Sequence, residues 1–489
     1  MLGKLGCRPT SMMHPWMYVT GQEVGNLRSV DEIRNQLPVG HTRTLWESLL
    51  ALARVDLNLP VLTPGSQLPG RSEASANSYN ADYIICNAAG QRILRHALVD
   101  LLIGEAGHKE AALQQMAALF DRDVWPQWLD NAHEVFGPAG LRTGMLGRDV
   151  GLAYDWLFGN LSAEQRSMIV AGLDDQAIRP YLQSIEEGVW WTQDLNNWLT
   201  TIVGGMGIAG MALGDAHPDA QRLVDYATPQ MVRYMSIYGE NGEFNESVAY
   251  ANATERPVGF FSALKYASAD ERDNVELDRL LEASRWVQYM TLPPGRIAAL
   301  GDGHADAQPW VRHLAAIAGA TDDGILQWFY LDLVNDEPDA LELLWFDGSL
   351  VPTGPQGRLP LGRAFPEHGG CVSSRTSWDP NTTHCVVYGK ASREENHEHN
   401  DDGQVCIDGF GERLIIDPGS PSGYPADYFE RERWNYYNAS VIGHNVLMFG
   451  NREMRTVHRE RGKPLDPSIK DFHGRFIDYS FDDERGGYW

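Results

Sequence analysis

The hydrophobic pattern divides the chain into two parts with different periods. In residues 82–346 apolar residues recur with helical spacing, of which Leu94, Leu98 and Leu101 are an example. From about residue 371 apolar and polar residues alternate instead, which indicates β-strands. The pattern predicts a multidomain α+β protein in which a helical part precedes an antiparallel sheet.

The helical part contains many segments of ten to twenty residues with short Gly, Pro or Asp stops between them. Short links of this kind indicate antiparallel helix pairs packed into a ring or bundle. We find no repeat of fixed period, which argues against an ordinary solenoid. The predicted helices after residue 103 cover 108–120, 148–158, 162–184, 195–213, 218–237, 245–266, 270–290, 305–319 and 338–346.

A stretch rich in Pro and Gly at about 348–365 separates the two parts and predicts a domain boundary. We therefore expect a helical domain at 1–355 and a sheet domain at 366–489. The predicted strands are 371–374, 383–388, 404–407, 413–416, 445–449 and 475–481.

Charge limits the partners that the chain can attract. Its 489 residues include 40 Lys and Arg against 66 Asp and Glu, a formal charge of -26. Such a chain should repel nucleic acid and anionic membranes, so we expect neither as a partner. It should also repel an acidic polysaccharide, unless the binding groove is locally basic or rich in neutral donors.

Cysteine usage and the first residues bear on localisation. The five cysteines are scattered and form no Cys-x-x-Cys pattern, so no disulfide framework is predicted. Residues 1–13 hold no apolar run long enough for a signal peptide. As written, the chain is expected to be cytoplasmic.

Residues 396–445 contain three histidines, His397, His399 and His444, together with Asp417. His399 and Asp417 fall near opposite ends of one predicted hairpin, and a third arm at 441–449 brings His444 to the same sheet. Strand geometry would point His397 and His399 to the same face. Two imidazoles and a carboxylate are suitable zinc ligands. The alternative is that these histidines are surface or hydrogen-bonded strand residues.

A second group of candidates opens the predicted helix at 195–213. Trp190, Trp191 and Trp198 surround Asn196 and Asn197. Asparagines at a helix start are usually capping or loop residues. The functional interpretation is that the tryptophans form a platform for a sugar and an Asn amide donates to a carboxylate.

A third group follows the turn signal Asn241-Gly242. If a helix follows this turn, Glu243, Glu246 and Tyr250 are spaced at i, i+3 and i+7 and share one face. A solvated acidic face with one interfacial Tyr is the structural alternative.

The chain resembles the heparinase II/III-like polysaccharide lyases. The resemblance lies in His397-Glu398-His399-Asn400-Asp401, Gly411 through Gly419, Tyr428, Tyr436-Tyr437 and Gly443-His444-Asn445-Val446. It implies an incomplete (α/α) toroid followed by a β-sandwich, of which this chain is expected to lack the C-terminal part. It further implies a zinc site at His399, Asp417 and His444, with His397 beside it facing the substrate.

Relatives are often exported, so a periplasmic or secreted location is the alternative.

The resemblance also assigns roles in the helical part. Gly242, Glu246 and Tyr250 fit a family element whose tyrosine transfers protons, and Asn197 fits the donor to a uronate carboxylate. Where relatives have a histidine, this chain has Trp198, which puts its stereochemical range in doubt. The substrate-binding residues expected from the resemblance and the aromatic cluster are Trp191, Asn196, Trp198, Glu246, Tyr428 and Arg433.

The implied reaction is β-elimination in a 4-linked uronate of an acidic polysaccharide or oligosaccharide. Tyr250 would take the C5 proton, which requires its pKa to fall by about 2–3 units from about 10, and would return a proton to O4. His397 is the alternative base and would act from the opposite face of the sugar. The zinc is expected to be structural and to hold the loops of the sheet domain against the groove.

Two other functions stay open on sequence grounds. An (α/α) barrel can carry an inverting glycoside hydrolase, which needs an acid and a base carboxylate. Glu243, Glu246 and Asp302 are the candidates for those roles. The second alternative is a non-catalytic glycan-binding protein that keeps the tryptophans and does not need Tyr250.

Overall fold

The computed structural model describes most of the chain. The described residues are 13–25, 27–68, 81–129, 137–244, 246–268, 275–334, 338–368, 370–379, 384–391, 397, 399–420, 424–425, 428, 431–448 and 474–489. Parts of four predicted elements, 245, 270–274, 383 and 449, and Glu398 of the histidine motif lie outside them. The chain divides into two compact units.

The first unit is helical and comprises Met1–Tyr234, Glu255–Asn274 and Asn335–Ser349. Its α-helices are Val30–Gln36, Gly40–Asp56, Ala81–Ile103, His108–Phe120, Leu141–Leu157, Ala163–Leu173, Arg179–Glu187, Asn197–Leu213, Ala220–Tyr234, Glu255–Ser268 and Ala340–Trp345. A π-helical turn, Asp174–Ile178, joins two of them. Side-chain caps mark several starts, such as Ser162, whose hydroxyl accepts from the Gln165 backbone N–H.

Two helices, Leu141–Leu157 and Asn197–Leu213, form the centre of this unit and are buried along nearly their whole length. Glycines allow their backbones to meet. A Cβ added at Gly144 would lie 2.5 Å from the Ile202 Cα, and one at Gly205 would lie 2.2 Å from the Gly144 carbonyl oxygen. The helix Asn197–Leu213 is apolar on nearly all sides, as its central position favours. The helix Leu141–Leu157 also buries charged residues, among them Arg142, Arg148 and Asp149.

Among the described residues one helical stretch, Asn197–Ala216, has the length and mean hydropathy needed to cross a membrane, at 1.3. Of its most apolar window, 83% is buried inside the structure. The core helix of a globular unit meets the same criteria, so the apolar sequence is weak support for a membrane span.

The second unit comprises Met235–Thr254, Val275–Val334 and Leu350–Trp489. Its α-helices are Val275–Tyr289, Leu314–Thr321 and Gly324–Leu333. Its strands are β1 (Thr291–Leu292), β2 (Arg296–Ile297), β3 (Gly362–Phe365), β4 (Cys371–Arg375), β5 (Cys385–Lys390), β6 (Gln404–Gly409), β7 (Glu412–Ile415), β8 (Ser480–Asp482) and β9 (Gly486–Tyr488). Strands β3 to β7 form one antiparallel sheet in chain order.

The hairpin of β6 and β7 turns at Phe410 and Gly411, which both have positive φ, as a two-residue hairpin turn requires. In β6 the side chains of Gln404, Cys406 and Asp408 face inward and are 1%, 0% and 2% exposed, whereas Val405 is 37% exposed. The buried face of β6 therefore carries two polar residues beside Cys406, although alternation usually places apolar residues on the buried face.

The predicted multidomain α+β class is confirmed, but the boundaries of several elements differ. The predicted helix at 245–266 is wrong in its first part, which forms an irregular segment and a 3₁₀ helix, Ala249–Thr254, before the α-helix Glu255–Ser268. Gly242 and Ser247 have positive φ, at 87° and 86°, which no helix accommodates. Glu243, Glu246 and Tyr250 consequently do not share a helical face.

The compact units do not coincide with the expected domains at 1–355 and 366–489. Met235–Thr254 and Val275–Val334 group with the sheet, although the prediction assigned them to the helical domain. Secondary structure does change near the predicted boundary, since a helix ends at Trp345 and the five-stranded sheet begins at Gly362. Helical periodicity therefore identifies the elements without showing which of them pack together.

Candidate active site

A glycine-flanked loop carries the carboxylate around which the site is built. The loop is Gly301-Asp302-Gly303, and it follows the small β1–β2 hairpin. The Asp302 N–H donates to the His397 carbonyl at 2.8 Å, and the Ser420 N–H donates to the Gly303 carbonyl at 2.9 Å. A Cβ at Gly419 would lie 2.1 Å from the Gly303 carbonyl oxygen, so only glycine allows this approach.

The Asp302 carboxylate is fully buried and accepts hydrogen bonds from four side chains. His397 Nδ1 lies 2.9 Å from Oδ2, and His399 Nε2 lies 2.9 Å from Oδ1. The Tyr428 hydroxyl donates to Oδ1 at 2.8 Å, and Arg433 Nη2 lies 3.1 Å from both oxygens. A buried carboxylate is stable only with such compensation.

Tyr250 and His397 lie face to face in the same unit. Their ring centroids are 3.4 Å apart and the rings are 12° from parallel. The Tyr250 hydroxyl also lies 2.9 Å from the Tyr424 hydroxyl. The two residues that the sequence analysis considered for proton transfer therefore lie in contact.

Burial and neighbouring charges set the protonation of these groups. Burial raises the pKa of Asp302, but hydrogen bonds from His397 and His399 and the charge of Arg433 outweigh it and hold the pKa well below the usual range. Burial lowers the pKa of His397. Burial, with Tyr424 next, raises the pKa of Tyr250 well above 10. The expectation that the Tyr250 pKa is lowered is wrong for this state, since burial and the neighbouring Tyr424, Asp302 and Glu246 all raise the pKa.

The three predicted metal ligands, His399, Asp417 and His444, converge. One ligand atom from each lies within 4.8 Å of the other two. His444 Nδ1 is 3.0 Å from Asp417 Oδ2, and Gln404 and the Gly419 N–H also donate to the Asp417 carboxylate. His399 precedes β6 and Asp417 follows β7, and the two meet because both lie at the open end of one hairpin rather than at opposite ends.

The donor set fits a zinc ion. Ligand atoms at about 2.0–2.1 Å from tetrahedral zinc lie ~3.3 Å apart, so small side-chain movements close the group. His399 Nδ1 and His444 Nε2 are buried without a hydrogen-bond partner among the described residues. Buried nitrogens without partners are costly, and a metal ion satisfies one directly.

The local structure around these ligands differs from the prediction. His397 and His399 lie outside any strand, and His444 follows a 3₁₀ helix, Val441–Gly443, in place of the predicted strand. Period-two geometry therefore does not explain why His397 and His399 lie close together. The two rings converge because both contact the Asp302 carboxylate.

The candidates near residue 195 lie in the first unit. Asn196 is the N-cap of the helix Asn197–Leu213, and its side chain accepts from the Trp198 N–H at 3.0 Å, so the capping interpretation is correct for it. Asn197 is the first helical residue and is partly exposed. Trp191 is fully buried and donates to the Ala139 carbonyl, so its prediction as a sugar platform is wrong. Trp198 is 9% exposed and lies against Trp190, with ring centroids 5.1 Å apart.

The remaining substrate-binding candidates are buried in the second unit. Tyr428 and Arg433 are 0% and 4% exposed and both donate to Asp302, and the Arg433 guanidinium lies 4.4 Å from the Tyr428 ring centroid. Glu246 is 1% exposed. These positions favour a supporting role over the direct substrate contact that was predicted.

Sequence reasoning assigned Asp302 to another function and did not include Tyr424. The Gly-Asp-Gly pattern at 301–303 was a usable signal for Asp302, because flanking glycines mark a loop that brings its backbone close to other segments. Tyr424 has no comparable local signal. Its contact with Tyr250 joins residues 174 positions apart.

The chain thus combines a helical unit with a second unit that contains an antiparallel sheet. The second unit carries a buried cluster of His, Tyr, Asp and Arg side chains. A scan against protein-family models and a search of curated proteins give no match. Solved structures do match. A heparinase III is similar with TM-score 0.50 and 14% identity over 84% of this chain and 63% of its own.

A second similar structure is heparan sulfate lyase HepC from Pedobacter heparinus, with TM-score 0.51 and 14% identity over 85% of this chain and 66% of that one. The chain thus spans about two thirds of the length of these structures. The match shows that this chain has a heparinase-like polysaccharide lyase fold, and the predicted resemblance is confirmed at that level.

Proposed function

We propose that this protein is a polysaccharide lyase that cleaves a 4-linked uronate in an acidic polysaccharide or oligosaccharide by β-elimination. The observation that carries the proposal is the contact of Tyr250 with His397, whose rings stack at 3.4 Å above the buried Asp302 network. The heparinase-like fold supports the same chemistry. Fold alone does not fix an activity, so the site residues carry the argument.

His397 is the group proposed to take the C5 proton. Its Nδ1 faces Asp302, whose lowered pKa keeps the carboxylate ionised and able only to accept. The proton of the neutral ring therefore lies on Nδ1 and the lone pair on Nε2. Burial lowers the pKa of His397, so the neutral form predominates near pH 7.

Tyr250 is proposed to donate a proton to the leaving O4. Its raised pKa keeps the phenol protonated, which suits an acid and does not suit the base that was expected. The O4 leaving group takes the phenol proton while the C4–O4 bond breaks and the C4–C5 double bond forms. The Tyr424 hydroxyl, 2.9 Å from that of Tyr250, is placed to orient the phenol.

The stacked arrangement bears on the stereochemistry. Rings with centroids 3.4 Å apart leave no room for a sugar between them, so His397 and Tyr250 would act from one side of the sugar. The expectation that His397 works from the opposite face is not supported. Glucuronate carries its C5 hydrogen and C4 oxygen on the same face, whereas iduronate carries them on opposite faces. A glucuronate polymer is accordingly the preferred substrate.

The developing enediolate needs a donor at the uronate carboxylate. On sequence grounds Asn197 is predicted for this role, and Asn196 and Trp198 are predicted to contact the substrate. Within the first unit, Asn197 is a partly exposed residue at the start of a helix, where the positive end of the helix dipole favours an anion. Tyr428 and Arg433 hold Asp302 in place.

Zinc is proposed as a structural ion held by His399, Asp417 and His444. When bound, it would join the segments before β6, after β7 and after Val441–Gly443 into one unit. The residues of the chain perform the proton transfers without it. Asp302, which contacts both His397 and His399, would transmit the rigidity of the metal site to the reacting ring.

An inverting hydrolase receives less support from the same residues. Its candidate carboxylates Glu243, Glu246 and Asp302 are 0%, 1% and 3% exposed. Glu243 accepts from the backbone N–H groups of Asn241 and Glu367, and Asp302 accepts from four side chains. Carboxylates engaged in this way cannot readily reach a glycosidic oxygen or a water. The buried Trp191 likewise weakens the glycan-binding alternative.

A panel of uronate polymers tests the proposal. Purified protein should produce unsaturated uronate ends, seen as ultraviolet absorbance, with polymers of glucuronate and much less with polymers of iduronate. His397→Gln should abolish the signal while polymer binding stays. Absence of unsaturated ends from every polymer, with reducing ends still released, would contradict the elimination.

A further inference from the structure

One buried carboxylate touches two histidines that have different proposed tasks. Asp302 Oδ2 lies 2.9 Å from Nδ1 of His397, the proposed proton acceptor, and Oδ1 lies 2.9 Å from Nε2 of His399, a proposed metal ligand. Arg433 Nη2 is 3.1 Å from both oxygens. The carboxylate has no exposed surface, so these contacts are not exchanged for water.

The two contacts fix different tautomers of the two rings. An ionised carboxylate only accepts hydrogen bonds, so His397 Nδ1 and His399 Nε2 must both be donors. A neutral imidazole that donates from one nitrogen carries its lone pair on the other. The lone pairs therefore lie on Nε2 of His397 and on Nδ1 of His399. The second of these atoms is buried and has no hydrogen-bond partner in the described part of the chain, as expected of a nitrogen available to a metal ion.

We infer that Asp302 is a positioning residue that fixes complementary tautomers of His397 and His399, so that one carboxylate serves both the proton-transfer pair and the metal centre. This inference rests on the proposed proton transfer by His397 and on the proposed zinc site at His399. Asp302 itself touches neither the substrate nor the metal. Its role is to keep one nitrogen of each ring deprotonated at the same time.

Aspartate is suited to this position, and asparagine is not. The amide of an asparagine in place of Asp302 would present one acceptor and one donor, so one of the two rings would have to accept where it now donates. That ring would move its proton to the other nitrogen. If His399 changes its tautomer, its Nδ1 becomes protonated and metal affinity falls. If His397 changes its tautomer, its Nε2 becomes protonated and turnover falls.

The test is Asp302→Asn in the whole chain, with three measurements. Zinc affinity is measured by competition with a chromophoric chelator, the tautomers by nitrogen NMR of ¹⁵N-histidine-labelled protein, and turnover with a glucuronate polymer. We expect one ring to change tautomer and the matching function to fall about 10- to 100-fold, with KM nearly unchanged if turnover is the one lost.

Asp408→Asn is the matched control. Asp408 is a buried carboxylate of the same unit, paired with Arg296 at 3.2 Å. Its loss should lower the thermal unfolding midpoint and leave both tautomers and zinc affinity as in the wild type. Thermal unfolding of both variants separates a misfolded protein from a repositioned ring.

Several results would overturn the inference. The first is that Asp302→Asn keeps the zinc affinity and turnover of the wild type. The second is that the variant loses either function while both tautomers stay unchanged. The third is that the wild-type protein binds no zinc. The failure of the proposed function has a different signature. If no polymer is cleaved by the wild type, the tautomers and zinc affinity still report on Asp302, since neither measurement needs turnover.

Discussion

At the scale of single residues, the proposed roles require a protonated Tyr250 and a neutral His397 in contact with each other. Burial favours the neutral form of both, which leaves the phenol protonated and the imidazole able to accept a proton. One buried environment thus suits both the proposed acid, Tyr250, and the proposed base, His397. The Asp302 carboxylate contacts His397, and the Tyr424 hydroxyl contacts that of Tyr250.

Tyr250→Phe removes the proposed acid with little change in shape. We expect kcat to fall about 10²- to 10⁴-fold, because the leaving O4 loses its proton donor, while KM and zinc affinity change little. Initial rates of unsaturated-end formation measure this. Tyr479→Phe is the control, since Tyr479 is a partly exposed tyrosine of the same unit that packs against aromatic rings. Equal rates for Tyr250→Phe and wild type would remove Tyr250 from the mechanism.

Sequence reasoning named the residues of the site better than their surroundings. His399, Asp417 and His444 could be proposed as a group because their types and the family resemblance point to zinc. The hydrogen bonds of Asp302 could not be foreseen, since they join a loop at 301–303 to residues about a hundred positions later. Trp191 was misassigned because residue type does not distinguish an exposed tryptophan from a buried one.

At the scale of elements, close helix packing in the first unit depends on glycine. Gly144→Ala places a methyl group 2.5 Å from the Ile202 Cα, a backbone atom that cannot move alone. We expect a loss of stability of about 1–3 kcal/mol or more, seen as a lower thermal unfolding midpoint.

Gly159→Ala is the control for this substitution, because an added Cβ there meets nothing within 4 Å. Its effect should stay within roughly 0.5 kcal/mol. Equal midpoints for the two variants would show that the helices Leu141–Leu157 and Asn197–Leu213 are not packed as closely as described.

A buried histidine pair predicts a pH dependence of stability in the same unit. His96 Nδ1 lies 2.8 Å from His108 Nδ1, and burial, with the neighbouring His108, lowers the pKa of His96 to about 4. The unfolded chain, with a pKa near 6.5, binds more protons between pH 6.5 and 4. Stability should therefore fall as the pH drops through this window, by on the order of 3 kcal/mol.

The variant His96→Gln isolates this contribution. Its stability should depend less on pH between 6.5 and 4 than that of the wild type, and the two curves should run parallel above pH 6.5. Denaturant unfolding at several pH values measures both, with the exposed His304→Gln as the control. Identical slopes for wild type and His96→Gln would contradict the buried position of the ring.

Element types could be predicted from periodicity over most of the chain, but their limits and partners could not. The irregular segment before Ala249–Thr254 was assigned to a helix because the positive φ of Ser247 has no signal in its residue type. The β6–β7 hairpin was identified by its turn. Its inward face was not, because Gln404 and Asp408 are buried by polar contacts that alternation cannot reveal.

At the scale of the whole molecule, the metal centre is expected to stabilise the second unit rather than to take part in proton transfer. A ligand at about a hundred times its Kd adds roughly 2.7 kcal/mol to stability. Chelation should therefore lower the unfolding midpoint of the wild type, with activity declining only as the protein unfolds. His444→Ala should have a low midpoint with and without chelator, measured by differential scanning calorimetry.

Instant and reversible loss of activity on chelation, with the unfolding midpoint unchanged, would assign the metal a role in the reaction instead. The Asp408→Asn protein is a useful reference here also, because its midpoint should be lowered yet should still respond to chelator. The change in the unfolding midpoint on adding chelator, rather than the midpoint itself, measures the stabilisation by the metal.

The proposed function requires that the reaction is an elimination. The decisive measurement is mass spectrometry of the products formed from a glucuronate polymer in ¹⁸O-labelled water. Elimination breaks the C4–O4 bond without adding water, so we expect new reducing ends that carry no ¹⁸O and new non-reducing ends that are unsaturated. Incorporation of one ¹⁸O atom at each new reducing end, with no unsaturated product, would identify a hydrolase and contradict the proposed elimination.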